Sequence, residues 1–133
     1  LRILQPAFQQ VAVVQRTSEY VQQNIERFLV GCVDEVVVGC CELVGYGSEA
    51  VELAGLAVDQ AHRNRGFGRL LVEAGVEQAT RQGHSRIFAL TTGTAHVFQH
   101  CGFRPQPPGQ LPEAKQRDYD SQNSGVYFLQ LEP

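Results

Sequence analysis

Three residues carry the first chemical signal in this chain: Arg63, Gly66 and Gly68, spaced R-x-x-G-x-G. They lie within Leu56 to Leu71, reading LAVDQAHRNRGFGRLL. The apolar run before them (Leu53, Ala54, Leu56, Ala57, Val58) reads as a buried strand. After them, Phe67, Leu70, Leu71, Ala74, Gly75 and Gln78 fall on one helical stripe. A glycine turn between strand and helix suits an anion. The first amides of a helix lack intrahelical acceptors, and the helix dipole makes that end partly positive. Glycine has no Cβ, so a phosphate can approach the main chain at Gly66 and Gly68. Arg63, Arg65 and Arg69 add charge that does not titrate near neutral pH, and Asn64 and Phe67 complete the turn. Two nucleotide motifs are excluded. The P-loop needs a Gly-Lys pair, which is absent, and the dinucleotide fingerprint needs a glycine where Leu71 stands. The plain alternative is an ordinary strand-to-helix turn with solvated arginines.

Glu52 is the candidate general base. It is flanked by Val51 and Leu53, and it lies four residues before Leu56, so it is expected on that residue's face of the sheet. Burial makes a carboxylate more basic. The alternative is a strand-edge glutamate facing water. Arg16 precedes the cap pair Thr17-Ser18, and its guanidinium fork suits a substrate carboxylate; the alternative is a solvent arginine. His96 and His100 have the spacing of a zinc helix, but Val97 replaces the glutamate and no third ligand follows, so no metal is expected.

A chain of 133 residues fits one domain. At 43% hydrophobic and 19% charged it has an ordinary globular composition. A net charge of -3 argues against a nucleic-acid surface, although basic residues cluster from Arg63 to Arg69. No apolar run reaches membrane-spanning length and no signal-peptide pattern is seen, so a cytoplasmic protein without a membrane partner is expected. Cys32, Cys40, Cys41 and Cys101 are expected as reduced core residues, Cys40 and Cys41 on opposite faces of one strand. With no methionine, Leu1 is not an encoded start, and residues are expected before it.

Leu1 to Gln10 reads as the end of a helix, interrupted by Pro6. A helix is expected from the Thr17-Ser18 cap to about Phe28. Phe28–Val33 and Val36–Val44 read as a hairpin around Asp34-Glu35, with a break over Gly45 to Gly47. Ala50–Val58 is the next strand. The helix beginning at Gly68 ends near Gln82, with Gly83 past its end. A buried strand at Arg86–Thr92, a short helix at Thr94–Cys101, a strand from Phe103, a helical turn within Pro112–Tyr119 and a strand at Val126–Leu131 complete the chain. This order predicts an α/β (α+β) fold: a mixed, mostly antiparallel sheet with helices on both faces.

The R-x-x-G-x-G turn resembles the pyrophosphate loop of the GNAT acyl-CoA N-acetyltransferases, whose pattern is [Q/R]-x-x-G-x-[G/A]. Ala95-His96-Val97-Phe98-Gln99-His100-Cys101-Gly102-Phe103 is similar to the short helix and Gly-Phe turn that follow in that superfamily. Leu111-Pro112-Glu113-x-Lys115, Tyr119 and Asn123-Ser124-x-Val126 resemble a narrower group, the acetyltransferase domains of bacterial N-acetylglutamate synthases. Gln15 to Ser18, Leu90 to Thr92 and Glu52 to Val58 resemble the same group. The resemblance implies a single GNAT domain over residues 1–133 that lacks its first strand. It implies acetyl-CoA as co-substrate, bound by the loop Arg63 to Arg69 and by the main chain of Leu56, Ala57 and Val58. It implies Glu52 as the base, acting through a water.

Many GNAT enzymes carry a tyrosine on that short helix to protonate the departing thiolate, where this chain has Phe98; Thr91, Thr92 or Thr94 could serve here, with Thr94 the first candidate, or solvent could. Gln122 stands where the related synthases have an arginine, and with Ser124 and Arg16 it is expected to bind the acceptor. The acceptor implied is the α-amino group of a small amino acid, L-glutamate in arginine synthesis. Glutamine, a polyamine, an antibiotic, a protein N-terminus, or a non-catalytic acyl-CoA-binding role remain alternatives, and a homodimer is compatible with the sequence.

Overall fold

The computed structural model describes residues 2–6, 27–33, 36–47, 50–91, 93–117, 119 and 125–132. The strands are β1 (Arg2–Pro6), β2 (Phe28–Val33), β3 (Val36–Tyr46), β4 (Ala50–Val58), β5 (Arg86–Thr91), β6 (Arg104–Pro105) and β7 (Gly125–Gln130). The helices are α1 (Phe67–Arg81), α2 (Ala95–His100) and α3 (Glu113–Gln116). The strands form one sheet in the order β1-β2-β3-β4-β5-β7-β6. Among the described residues only β4 and β5 run parallel, joined by the crossover through α1, and the other pairings are antiparallel. This is the mixed, mostly antiparallel sheet expected.

Two expectations at the start of the chain change. The helix end expected over Leu1 to Gln10 is replaced, over Arg2–Pro6, by a strand paired with β2 from Arg2↔Val33 to Pro6↔Leu29. A first strand is therefore present, as an edge strand where Pro6 costs the least ladder bonding. The helix expected from Thr17-Ser18 lies, before Arg27, outside the described residues, as does the Asp34-Glu35 turn. Phe28 opens β2 and is buried in the core. The break expected at Gly45 comes later: β3 runs through to Tyr46, and Gly47 turns the chain.

The long helix α1 packs one face of the sheet. Its buried residues are Leu71, Val72, Gly75 and Ala79, one turn-by-turn stripe shifted from the expected one. Phe67, Leu70 and Gln78 are only half-buried. Burying Leu71 and Val72 contributes roughly 1.5–3 kcal/mol each. The helix ends as its glycine predicts. Gly83 takes a left-handed φ of 87°, the Gly83 amide donates to the Thr80 carbonyl and the His84 amide to the Ala79 carbonyl.

The core of this face joins Leu43, Val51, Leu53, Ile87 and Ala89 of the sheet to Leu71, Val72 and Ala79 of α1 and to Phe98 of α2. The opposite face buries Ala50, Phe88, Leu111, Val126 and Phe128. Helix α3 follows Leu111 there, so helices do cover both faces. Among the described residues, no helix is long and apolar enough to cross a membrane.

All four cysteines are free thiols; Cys32, Cys40 and Cys41 are buried and Cys101 is half-buried. Cys40 and Cys41 belong to cores on opposite faces, as strand alternation requires. Burial, then the neighbouring Cys40 and Glu42, pushes the Cys41 thiol well above its ordinary value of 9.0. An unfolded Cys41 ionises near that value, whereas the folded site keeps it protonated. Its contribution to stability is therefore whole below about pH 9 and is lost as pH rises above it. Cys41 is expected to resist iodoacetamide at pH 8 until urea unfolds the chain, and the urea midpoint should fall between pH 8 and pH 10. Peptide mass spectrometry and two denaturation curves check this; fast labelling of folded Cys41 would contradict it.

Candidate active site

The site begins where two neighbouring strands part. The parallel strands β4 and β5 share two paired positions, Val51↔Ile87 and Glu52↔Phe88. Among the described residues no later pair follows, so from Leu53 onward β4 diverges from β5. A β-bulge helps to separate them. Three steps along β4, Ala54 to Ala57, match two along β3, Glu42 to Cys40. The extra residue is accommodated at Gly55, whose φ of 61° is left-handed and costs a Cβ-bearing residue roughly 1 kcal/mol or more.

The bulge corrects one expectation. Glu52 and Leu56 do not share a face. Leu56 and Val58 pack against the core beneath α1, whereas Glu52 lies on the other face, beside Tyr46 and Lys115. A spacing of four residues preserves the face only in an uninterrupted strand. Leu56, Ala57 and Val58 lie past the bulge, half-buried, on the arm of the fork that no longer pairs with β5.

At the tip of that arm the chain makes a short 3₁₀ turn, Gln60–His62, and enters the arginine–glycine loop. Arg63 folds back, its Nε donating to the Val58 carbonyl at 3.3 Å. Asn64 sits at φ 63° and Gly66 at φ 85°. Gly66 caps α1 without a side-chain hydrogen bond, and no acidic residue lies in the first turn. The first intrahelical bond runs from the Leu70 amide to the Gly66 carbonyl at 3.1 Å. The amides of residues 67–69 therefore have no acceptor within the helix. A Cβ on Gly66 would meet no atom within 4 Å, so the space before the helix is open. Phe67 sets its ring edge-on to His62, centroids 5.7 Å apart. His62 is itself held by Asp59 at 3.0 Å. Arg65 is exposed, and Arg69 pairs with Glu73 at 3.2 Å. Every residue of the expected anion loop is thus gathered at one helix N-terminus.

Glu52 stands at the apex of the fork, its α-carbon paired with Phe88 in the last shared position. Only 5% of the residue is exposed. The Tyr46 hydroxyl donates to Glu52 Oε1 at 3.3 Å, and Lys115 Nζ lies 3.1 Å from the same oxygen. Aromatic rings line the surroundings: Tyr46 to Phe88 at 5.9 Å and Phe88 to Phe128 at 5.2 Å between centroids. The buried carboxylate is charge-compensated by an ammonium and shielded by rings.

Across the fork, Thr94 caps α2 next to the end of β5. Its hydroxyl lies 2.6 Å from that of Thr91, and its amide donates to Thr91 Oγ1 at 3.0 Å. The two hydroxyls form a pair within which a proton can pass. Phe98 is buried and packs edge-on against Phe103 at 5.2 Å. His96 and His100 are exposed on α2. Among the described residues no three metal-ligating side chains cluster. Arg16, Thr92, Gln122 and Ser124 lie outside the described residues. A separate hollow of about 300 Å³ opens at the far end of β5, lined by Arg86, Arg104, Gln106 and Gln110 among others; no residue expected at the site lines it.

Tyr46, Lys115 and a second buried acid, Glu42, were not assigned from sequence. Glu42 is opposite Ala54 on the face that carries Glu52. For Tyr46 a signal existed: it pairs with Ala50, two residues before Glu52, so the hairpin register places it on the same face. Lys115 is the chain's only lysine, but nothing local connects it to a residue 63 positions earlier.

The sequence profile of the acetyltransferase (GNAT) family matches residues 2–103. The chain is 34% identical over 135 residues to an amino-acid acetyltransferase of Photorhabdus laumondii, covering 100% of this chain and 30% of that one. It is 36% identical over 129 residues to an amino-acid acetyltransferase of Pseudomonas putida, covering 96% and 30%. It therefore spans about 30% of the length of these curated relatives. Among solved structures, N-acetylglutamate synthase from Neisseria gonorrhoeae, complexed with coenzyme A and N-acetyl-glutamate, superposes with a TM-score of 0.88 at 26% identity, over 100% of this chain and 36% of that one. The forked sheet, the glycine-capped helix behind its arginine–glycine loop and the profile match together place this chain in the acetyltransferase (GNAT) family.

Proposed function

We propose that this chain is an acetyl-CoA-dependent N-acetyltransferase acting on the α-amino group of a small amino acid, with L-glutamate as the first candidate acceptor. One observation carries the reading: the fork between β4 and β5 has an arginine-flanked helix N-terminus without a side-chain cap at its mouth and a buried, charge-compensated carboxylate at its apex. The amino-acid acetyltransferases it resembles, and the N-acetylglutamate synthase it superposes on, support the acceptor class.

Acetyl-CoA supplies the acetyl group as a thioester, already activated toward an amine. The amides of residues 67–69 and the arginines Arg63 and Arg65 bind the diphosphate. The main chain of Leu56, Ala57 and Val58, released from the β5 ladder, binds the extended arm and brings the thioester into the fork. Glu52 accepts a proton from the acceptor's ammonium, directly or through a water, because only the free amine is nucleophilic. Thr94, paired with Thr91, donates a proton toward the leaving sulfur. Arg16 and Ser124 bind the acceptor's carboxylates. Gln122, where related synthases carry an arginine, favours a second acceptor, L-glutamine, whose neutral side chain matches an amide better than a charge.

Glu52→Gln should lower kcat by roughly 10²–10⁴-fold while leaving coenzyme A affinity unchanged. Free-thiol detection with L-glutamate and L-glutamine, alongside calorimetry with coenzyme A, measures both. Binding of coenzyme A without thiol release on either acceptor would refute amino-acid transfer. Retained turnover in Glu52→Gln would remove Glu52 as the base.

Gly66→Ala forces a Cβ onto a left-handed residue and into the open space before α1. It should cost about 1 kcal/mol of stability and weaken coenzyme A roughly tenfold, about 1.4 kcal/mol of binding. Arg63→Ala should weaken it too, with a smaller stability change because its partner is one carbonyl. Unchanged coenzyme A affinity in both variants would dissociate the loop from cofactor binding.

A further inference from the structure

Two donors from different elements converge on one oxygen of Glu52. Tyr46, at the end of β3, and Lys115, on α3, both reach Oε1. Among the described residues none reaches Oε2. The approach of Lys115 is fixed by its helix. Leu111 and Pro112, immediately before α3, are buried. Gln116 Nε2 donates to the Leu111 carbonyl at 2.7 Å and to the Gly109 carbonyl at 3.3 Å. The Lys115 amide donates to the Pro112 carbonyl at 2.9 Å. The side chain is 23% exposed, so much of its stem lies against protein. Of the chain's 11 basic residues this is the one lysine, and among the described residues it is the one that pairs with Glu52.

We infer that Lys115 is the positioning residue of the site: with Tyr46 it engages Oε1, fixes the carboxylate's rotation, and leaves Oε2 as the oxygen that accepts the acceptor's proton. This rests on Glu52 as base. The ammonium has a second effect. A buried carboxylate beside Phe88 and Tyr46 would carry an uncompensated charge without it. A compact ammonium on a flexible stem can meet one oxygen end-on, whereas a guanidinium prefers both. Lysine thus leaves half the carboxylate free for chemistry. Lys115 touches neither acceptor nor thioester in this scheme; it acts through Glu52.

The test is a double-mutant cycle on Glu52→Gln and Lys115→Met, with acetyl-CoA and the better of L-glutamate and L-glutamine. Lys115→Met should lose roughly 10–100-fold in kcat, the scale of a slightly misplaced catalytic group, with the KM for acetyl-CoA unchanged. Combined with Glu52→Gln it should cause almost no further loss, because its target is already gone. Lys115→Arg should recover only part of the rate, and Tyr46→Phe should lose a few-fold. If Lys115→Met does not fold, Lys115→Gln takes its place in the cycle. A fully active Lys115 variant overturns the inference and leaves Glu52 as base untouched. So does a loss that multiplies in full with that of Glu52→Gln, since Lys115 would then act elsewhere. Retained activity in Glu52→Gln, or no turnover by the parent chain, fails the base reading itself and takes this inference with it.

Discussion

The structure depends on a missing set of hydrogen bonds. Parallel strands satisfy their main-chain groups through an evenly spaced ladder, and β4 and β5 abandon theirs after Glu52↔Phe88. Main-chain amides and carbonyls that lose a ladder must find other partners or water. Two devices limit that cost. The bulge at Gly55 gives β4 an independent direction, and β3 remains paired along it as far as Gly39↔Val58. The arm is held on one side and open on the other. An internal sheet edge of this kind suits an extended ligand with amide groups of its own, which can take the place of the absent strand.

The fork also divides labour between the two faces. The α1 face carries apolar packing and ends in the arginine–glycine loop, where fixed charges and helix amides are brought together. The opposite face carries the carboxylate, the phenol and the ammonium among aromatic rings. A residue on one face cannot readily serve the other, because strand alternation separates them. The bulge matters here too. Without its extra residue Leu56 would turn toward Glu52, and the side chain that now packs beneath α1 would crowd the carboxylate.

The sequence made the conformation of the arginine–glycine loop legible because everything it needs is local. A strand run, an R-x-x-G-x-G turn and a helical stripe occupy sixteen consecutive residues, Leu56 to Leu71, and glycine reports its own backbone demand. The order of the strands and the Gly83 helix stop were legible for the same reason. Glu52 stood out as a charge in an apolar run, and its burial agrees with that. Its face did not follow, because the bulge breaks the period of two and a lone Gly55 does not announce one. The first strand was misread because a five-residue edge strand ending in proline has no periodicity of its own; its partner β2 defines it. The environment of Glu52 was illegible because Tyr46 depends on hairpin register and Lys115 on a long-range fold contact.

That contact is where stability and chemistry compete. Removing one partner of a well-buried ion pair costs about 3–5 kcal/mol, whereas an exposed pair contributes about 1 kcal/mol or less. The Glu52 side chain is 7% exposed and that of Lys115 23%, so the pair lies between these limits, nearer the buried one. A site optimised only for folding would satisfy both oxygens of such a carboxylate, or replace the pair with packed apolar groups. Here both donors meet on Oε1, and the network stops short of full satisfaction among the described residues. Among the described residues no fully buried side-chain nitrogen or oxygen lacks a partner, so Oε2 is not a stranded acceptor but the oxygen that neither donor occupies. In the proposed mechanism that oxygen is the one that takes the acceptor's proton, so the ion pair that anchors the carboxylate does not have to break for it to act.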